Sequence, residues 1–186
     1  FLPTRQGFDQ YFGIPYSNDM QQRSAETGER VIPLMRNDKV QELLTDEQQS
    51  ELTARYTEES VEFIRSSSGK PFFLYLAHTA VHTPISAGKD FQGRSSNGRF
   101  GDWVEEADWS VGQILEALRE QQRDRDTLVI FTSDNGGMFN FGGQAAFKAG
   151  HRQNGDLLGF KFGVWEGGHR VPLIVRWPGK VKAGTT

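Results

Sequence analysis

Three short apolar runs constrain this chain more than any other feature. Pro71-Phe72-Phe73-Leu74-Tyr75-Leu76-Ala77, Thr127-Leu128-Val129-Ile130-Phe131-Thr132 and Val171-Pro172-Leu173-Ile174-Val175-Arg176-Trp177 each have strand length and turn signals beside them. The first two lack the alternation of a half-exposed strand, so they are expected to be covered on both faces. Pro172 belongs at the start or edge of the third, because it has no N–H for a ladder. Between the runs lie two helical patterns. One begins near Thr45, which has capping-box spacing to Gln48, and carries Leu52, Tyr56, Phe63 and Ile64 towards a Ser/Gly stop at 66–69. The other fits Asp102 to Arg123, with Val104, Ala107, Val111, Ile114, Leu115 and Leu118 on one stripe. Alternating helices and apolar strands predict an α/β architecture with a mainly parallel sheet flanked by helices. Residues 1–19 read as an ordered loop. Residues 21–39 read as polar and irregular, with Gly28 and Pro33 as breakers.

The 186 residues amount to one domain, and both ends read as cut, so residues 1–186 are expected to be a single domain truncated at each end. Composition mainly excludes. The 21 basic and 24 acidic residues give a net charge of −3, which is no footprint for nucleic acid. No apolar stretch approaches the roughly 20 residues of a transmembrane helix. The absence of cysteine rules out disulfides, thiolate metal ligands and a cysteine nucleophile within these residues. Fourteen Phe and four Trp require a substantial interior or a lined cleft.

In open α/β sheets, ligands bind beyond the carboxyl ends of strands, so the polar residues there matter most. Ser133-Asp134-Asn135-Gly136-Gly137 offers a carboxylate and an amide oxygen side by side, two hard donors for Ca²⁺ or Mg²⁺. The competing reading is an Asx turn closing the strand. His78 and His82 follow the first run. Thr79 stands where a zinc-enzyme helix would carry its glutamate, and Pro84 disfavours a helix, so a loop imidazole binding an anion or protonating a leaving group is the functional reading. Structural hydrogen bonding is the alternative for both, and the stronger one for His78. Lys161 precedes a Gly-rich turn from which an ammonium can reach a sulfate or phosphate oxygen; an ordinary exposed lysine is the alternative. Glu166 and Arg170 read as a loop-fixing ion pair, His151 and His169 as structural. Phe139, Phe141 and Phe147 suit core packing better than an apolar substrate wall. Oxygen donors, a loop His and a Lys together describe a metal-assisted site for a tetrahedral oxyanion.

Four blocks also resemble a known family. Gln6-Gly7-Phe8-Asp9-Gln10-Tyr11-Phe12-Gly13-Ile14-Pro15-Tyr16-Ser17-Asn18-Asp19 is similar to a segment of arylsulfatase-type sulfatases, within the alkaline-phosphatase-like superfamily. Pro71 to Tyr75 with His82-Thr83-Pro84 resembles their Phe-rich strand and histidine loop. Leu128 to Gly136 resembles their metal-ligand strand end. Trp165-Glu166-Gly167-Gly168-His169-Arg170-Val171-Pro172 with Trp177-Pro178-Gly179 resembles their Glu-Gly-Gly and Trp-Pro-Gly blocks.

The resemblance implies that Asp134 and Asn135 bind a divalent cation, calcium or alternatively magnesium. It implies that His82 contacts the sulfate ester and protonates the departing alcohol, and that Lys161 binds a sulfate oxygen. It further implies hydrolysis of a small-molecule or carbohydrate sulfate ester by a formylglycine nucleophile, and export to a periplasmic, extracellular or lysosomal compartment. The formylglycine motif, Cys/Ser-x-Pro-x-Arg, does not occur here and is expected upstream, so the chain alone is expected to be inactive. Asp156, Leu158 and Phe160 depart from the family's pattern before Lys161, which makes Lys161 the weakest match. The rival expectations are phosphoester or phosphonate hydrolysis within the superfamily, and an inactive fragment or pseudoenzyme that binds sulfated ligands.

Overall fold

The computed structural model describes residues 2–67, 69–139 and 142–186. Strands β1 (Phe12–Gly13), β2 (Gln22–Arg23), β3 (Arg30–Arg36) and β4 (Lys39–Thr45) form an antiparallel sheet. Helices α1 (Leu52–Ser66) and α2 (Gly98–Glu120) pack on each other. Strand β5 (Val129–Thr132) pairs with β6 (Leu173–Arg176), and the short helices α3 (Gly142–Lys148) and α4 (Glu166–His169) lie between those two strands in sequence.

The sheet built around β3 corrects the reading of residues 21–39 as irregular. Val31, Ile32, Leu34 and Met35 are buried, and β3 pairs with β4 from Val31 opposite Thr45 to Arg36 opposite Lys39. Pro33 does not break the strand. On the edge away from β4, β2 covers only Arg30 and Val31, and β1 covers only Met35 and Arg36. The centre of that edge carries no ladder, so an imino acid is tolerated there. Ile32, Leu34 and Leu44 close one core cluster with Leu52 and Tyr56 of α1. Truncating a buried Leu such as Leu44 to Ala costs about 2–5 kcal/mol in comparable cores.

The capping box forms, but one turn before the helix. Gln48 N donates to Thr45 Oγ1 at 3.4 Å and Thr45 N donates to Gln48 Oε1 at 2.9 Å. A 3₁₀ turn over Gln48–Glu51 then leads into α1. Helix α2 is rotated from its expected phase. Trp103, Glu106, Ser110, Ala117 and Leu118 are buried, while Val104 is exposed. Three polar side chains take inward positions because each finds partners: Gly93 N and Ser95 N donate to the Asp102 carboxylate at 2.9 and 2.8 Å, Gly88 N donates to Glu106 Oε2 at 2.8 Å, and the Ser110 hydroxyl lies 2.6 Å from that of Thr57. Burial, partly offset by that bond, pushes the Glu106 carboxyl up from its usual range.

The expectation of a mainly parallel sheet is not met among the described residues, whose strands all pair antiparallel. The run 71–77 is extended yet belongs to no ladder. Its residues alternate: Phe72 and Leu74 pack on the Ile64–Ala117–Leu118 cluster and Leu76 on the Ile32–Leu44 cluster. Phe73 and Tyr75 point outward, 75% and 71% exposed. Ile130 and Leu173 are likewise exposed, so β5 is not covered on both faces as expected, nor is β6. Only Phe72, Leu74, Leu76 and Val129 reach the buried clusters, and Ile130, Phe131, Leu173, Ile174 and Val175 leave both faces of the β5–β6 pair open. Pro172 sits just before β6, as its missing N–H requires.

Candidate active site

The loop after 71–77 holds both histidines, and their surroundings differ. His78 faces inward, with Nε2 3.1 Å from Ser110 Oγ. Thr57 Oγ1 donates its only hydrogen to Thr53 O at 2.7 Å, so Ser110 must donate to Thr57 and accept from His78. His78 is therefore the neutral Nε2–H tautomer, and its buried Nδ1 has no partner among the described residues. Burial lowers its pKa to about 4.

His82 has the opposite arrangement. Its Nδ1 lies 2.8 Å from Thr83 O and 3.1 Å from Asn18 Oδ1. A carbonyl can only accept, so Nδ1 carries the hydrogen and Nε2 is left for a ligand. The turn is closed by His82 N donating to Thr79 O at 2.8 Å. Asp19, next to Asn18, is within electrostatic reach of both His82 and Lys161. A hydrogen bond from Ser17 chiefly, and the nearby charges of His82 and Lys161 to a lesser degree, hold the Asp19 carboxyl below its usual range against some desolvation.

Asp134 and Asn135 follow β5 directly. Ser133 Oγ donates to Asn135 O at 2.9 Å, and Asn135 Nδ2 donates to Gly136 O at 3.0 Å. Asn135 thus keeps its amide oxygen unengaged among the described residues, and the exposed Asp134 carboxylate has no hydrogen bond or ion pair there. This pair fits a hard cation as a partial donor set. A calcium shell takes six to eight oxygens, and no group of three or more His, Cys, Asp and Glu gathers among the described residues.

The Lys161 loop is joined to this turn through backbone. Lys161 N donates to Gly137 O at 3.1 Å, and Gly136 N donates to Gly168 O at 2.9 Å. Asn154 links the two further: its Oδ1 accepts from Gly137 N at 2.7 Å, and its Nδ2 donates to Gly137 O and Gly159 O. A Cβ on Gly136 would lie 1.9 Å from Gly167 O, and one on Gly167 would lie 2.2 Å from Gly159 O. Glycine is required at both, because carbonyls occupy the space a side chain would need. The Lys161 ammonium sits 5.4 Å from the Phe162 ring centre. The departing positions do not enclose it: Leu158 is exposed, and Phe160 packs towards Phe139 at 6.2 Å between ring centres.

Asp19 thus feels the charges of both His82 and Lys161, and backbone hydrogen bonds tie the Lys161 loop to the turn bearing Asp134 and Asn135. The four expected residues make no hydrogen bond to one another among the described residues. Two concavities, one along β3, β4 and α1 and one between α1, α2 and residues 88–94, include none of them. The remaining expectations can be placed as well. Arg170 Nη1 donates to Glu166 Oε2 at 2.7 Å, the loop-fixing pair expected. His151 stacks near Phe100, and the His169 imidazole Nε2 lies 3.2 Å from Val164 O. Phe139 and Phe147 pack edge to face at 5.2 Å but both stay exposed, so the expected core role is not met, while Phe141 lies outside the described residues. Sequence reasoning missed the contacts of Asn18 and Asp19; the only signal was their place in a Gly- and Pro-rich block.

A sulfatase family model matches residues 3–186. The chain is 46% identical to human steryl-sulfatase across 72% of its own length and 23% of that protein. It is 37% identical to N-acetylgalactosamine-6-sulfatase of Rattus norvegicus, covering 99% of this chain and 36% of the relative. Among solved structures, Ps i-CgsB in complex with k-i-k-neocarrahexaose superimposes with a TM-score of 0.72 at 30% identity, over 98% of this chain and 42% of that one. PsFucS1 sulfatase from Pseudoalteromonas sp. gives 0.78 at 25% identity, over 99% and 40%. The chain therefore spans about a quarter to two fifths of the proteins it matches. Taken with the loop histidine, the oxygen donors after β5 and the tethered lysine, the match over nearly the whole sequence makes this chain a member of the sulfatase family.

Proposed function

We propose that the protein containing this chain hydrolyses sulfate monoesters, and that His82, Lys161, Asp134 and Asn135 belong to its active site. The observation that carries the proposal is the sulfatase match over residues 3–186, with relatives named as sulfatases across almost the full chain. In this reading the Lys161 ammonium neutralises charge on a sulfate oxygen, a role suited to a compact cation on a flexible stem. His82 offers Nε2 to the ester oxygen and, in its protonated form, gives a proton to the departing alcohol. Asp134 and Asn135 supply two oxygens towards a divalent cation, calcium or magnesium, which when bound would polarise the sulfate group. A formylglycine in the rest of the protein would supply the attacking oxygen, since these residues contain no Cys/Ser-x-Pro-x-Arg motif.

The substrate proposed is a carbohydrate or other organic sulfate ester, the chemistry named in the matched relatives. A mainly parallel sheet in the complete catalytic domain belongs to the same proposal, because 71–77 belongs to no ladder and the outer edge of β5 is unpaired among the described residues, so both can join further strands. Export is proposed on the same relatives; no described helix is long and apolar enough to cross a membrane.

The test is steady-state hydrolysis of an aryl sulfate by the complete protein, with its bound metal measured by elemental analysis. Turnover with about one divalent cation per site is expected, and Asp134→Ala should lose both. Hydrolysis of phosphate esters or phosphonates with no sulfatase turnover would overturn the reading.

A further inference from the structure

We propose that Asn18 is the positioning residue for the His82 imidazole: its single amide fixes the direction of that ring and, together with Thr83 O, holds its tautomer. This rests on the reading of His82 as a group that touches the sulfate ester. Three observations carry it. Asn18 is 2% exposed, although its neighbours Ser17 and Asp19 are exposed. A buried amide in a surface loop is costly unless its polar atoms are engaged. Both are engaged, and by the same residue 64 positions away: Nδ2 donates to His82 O at 3.3 Å, while Oδ1 accepts from His82 Nδ1–H at 3.1 Å. The amide therefore grips backbone and ring together. The remaining acceptor on Nδ1–H, Thr83 O, sits on the adjacent residue and holds the ring only to its own loop.

The orientation of the amide follows from its partners. His82 O accepts only, so the nitrogen of Asn18 must face it. Nδ1 is already a donor to Thr83 O, so the oxygen must face the ring. With Nδ1–H held on two acceptors, the neutral ring keeps its lone pair on Nε2, and the protonated ring directs Nε2–H to the same point. The charged group that interacts with the ring is Asp19, beside Asn18, which also feels the Lys161 ammonium. Neither substitutes for the amide, because an ammonium cannot accept a hydrogen bond and Asp19 is not among the hydrogen-bond partners of Nδ1.

The experiment uses the complete protein with ¹⁵N-labelled histidine, an aryl sulfate assay, and variants Asn18→Ala, Asn18→Asp and His82→Ala. In the wild type, His82 should show a protonated-type shift at Nδ1 and an unprotonated-type shift at Nε2. Asn18→Ala leaves Thr83 O as the remaining acceptor at Nδ1, so it should loosen the ring, admit a measurable fraction of the other tautomer and lower kcat about 10- to 100-fold, as loss of an orienting partner does elsewhere, with KM changed less than about threefold. Asn18→Asp keeps the acceptor facing Nδ1, so it should retain the wild-type tautomer and recover most of the lost kcat, even if the Ala variant folds poorly. Wild-type kcat and ring shifts in Asn18→Ala, or an Asp variant with the tautomer mixed and kcat no better than Ala, would overturn the inference. His82→Ala separates this from failure of the underlying reading: full activity in that variant removes His82 from the chemistry, whatever Asn18 does.

Discussion

Four residues apart on one loop, His78 and His82 have been given opposite hydrogens by their neighbours. The His78 ring lies against the α1–α2 layer, where a one-way series of hydroxyls through Ser110 and Thr57 ends on Thr53 O and demands an Nε2–H donor. The His82 ring meets carbonyl and amide oxygens at Nδ1 and keeps Nε2 open. The same side chain is thus structural in one setting and chemically available in the other. Residue type and spacing carry little of that difference; which acceptors surround each nitrogen carries nearly all of it.

The largest effect expected from this contrast is a crossed pair of substitutions in the complete protein. His82→Ala should lower kcat for an aryl sulfate by about 10²- to 10⁴-fold, the usual worth of a general acid, with little change in thermal midpoint. His78→Ala should do the reverse, lowering the midpoint while leaving kcat within about twofold of wild type. Equal kinetic losses in the two would erase the distinction.

A smaller effect sharpens the account of the hydroxyl series. Ser110→Ala strands the buried His78 Nε2–H without an acceptor, which costs about 1–3 kcal/mol, read from chemical denaturation. A stability unchanged from wild type would mean that the series contributes nothing.

The last effect is in pH dependence, a change of slope rather than of level. The folded-state pKa of His78, about 4, lies below the ordinary 6.5, so the unfolded chain binds the proton more tightly. The contribution of neutral His78 is complete above pH 6.5 and is lost as pH falls from 6.5 towards 4. The slope from this one group is at most about 1.4 kcal/mol per pH unit. His78→Gln should flatten the midpoint-versus-pH curve across that window, and an unchanged slope would place the acid sensitivity elsewhere.

Where the candidate residues fall was legible because they sit beside strongly patterned segments. Asp134 and Asn135 follow an apolar run that does become β5, Lys161 stands in a glycine-rich stretch whose close contacts are real, and Glu166 pairs with Arg170 at the spacing a turn allows. Asn18 could not be read the same way. Its meaning lies in contacts with a residue 64 positions away, and no local pattern announces them. In the fold, Pro33 concealed β3, because a proline signals a break unless one knows that the ladder beside it is interrupted. The α2 stripe was displaced since hydrophobicity alone ranks Val104 above Glu106 and Ser110, whereas satisfied hydrogen bonds let those two turn inward. The extended run 71–77 was recognised as apolar, but its pairing state depends on neighbours that the run itself does not encode.

Where the turn after β5 meets the lysine loop, amide touches carbonyl with no cushion of side-chain atoms between. Such a seam transmits displacement almost without slack, so shifting the turn by a few tenths of an ångström drags Lys161 with it. Variation among proteins sharing this seam must then be accommodated outside it, in segments that can lengthen or change chemistry without prying the two loops apart.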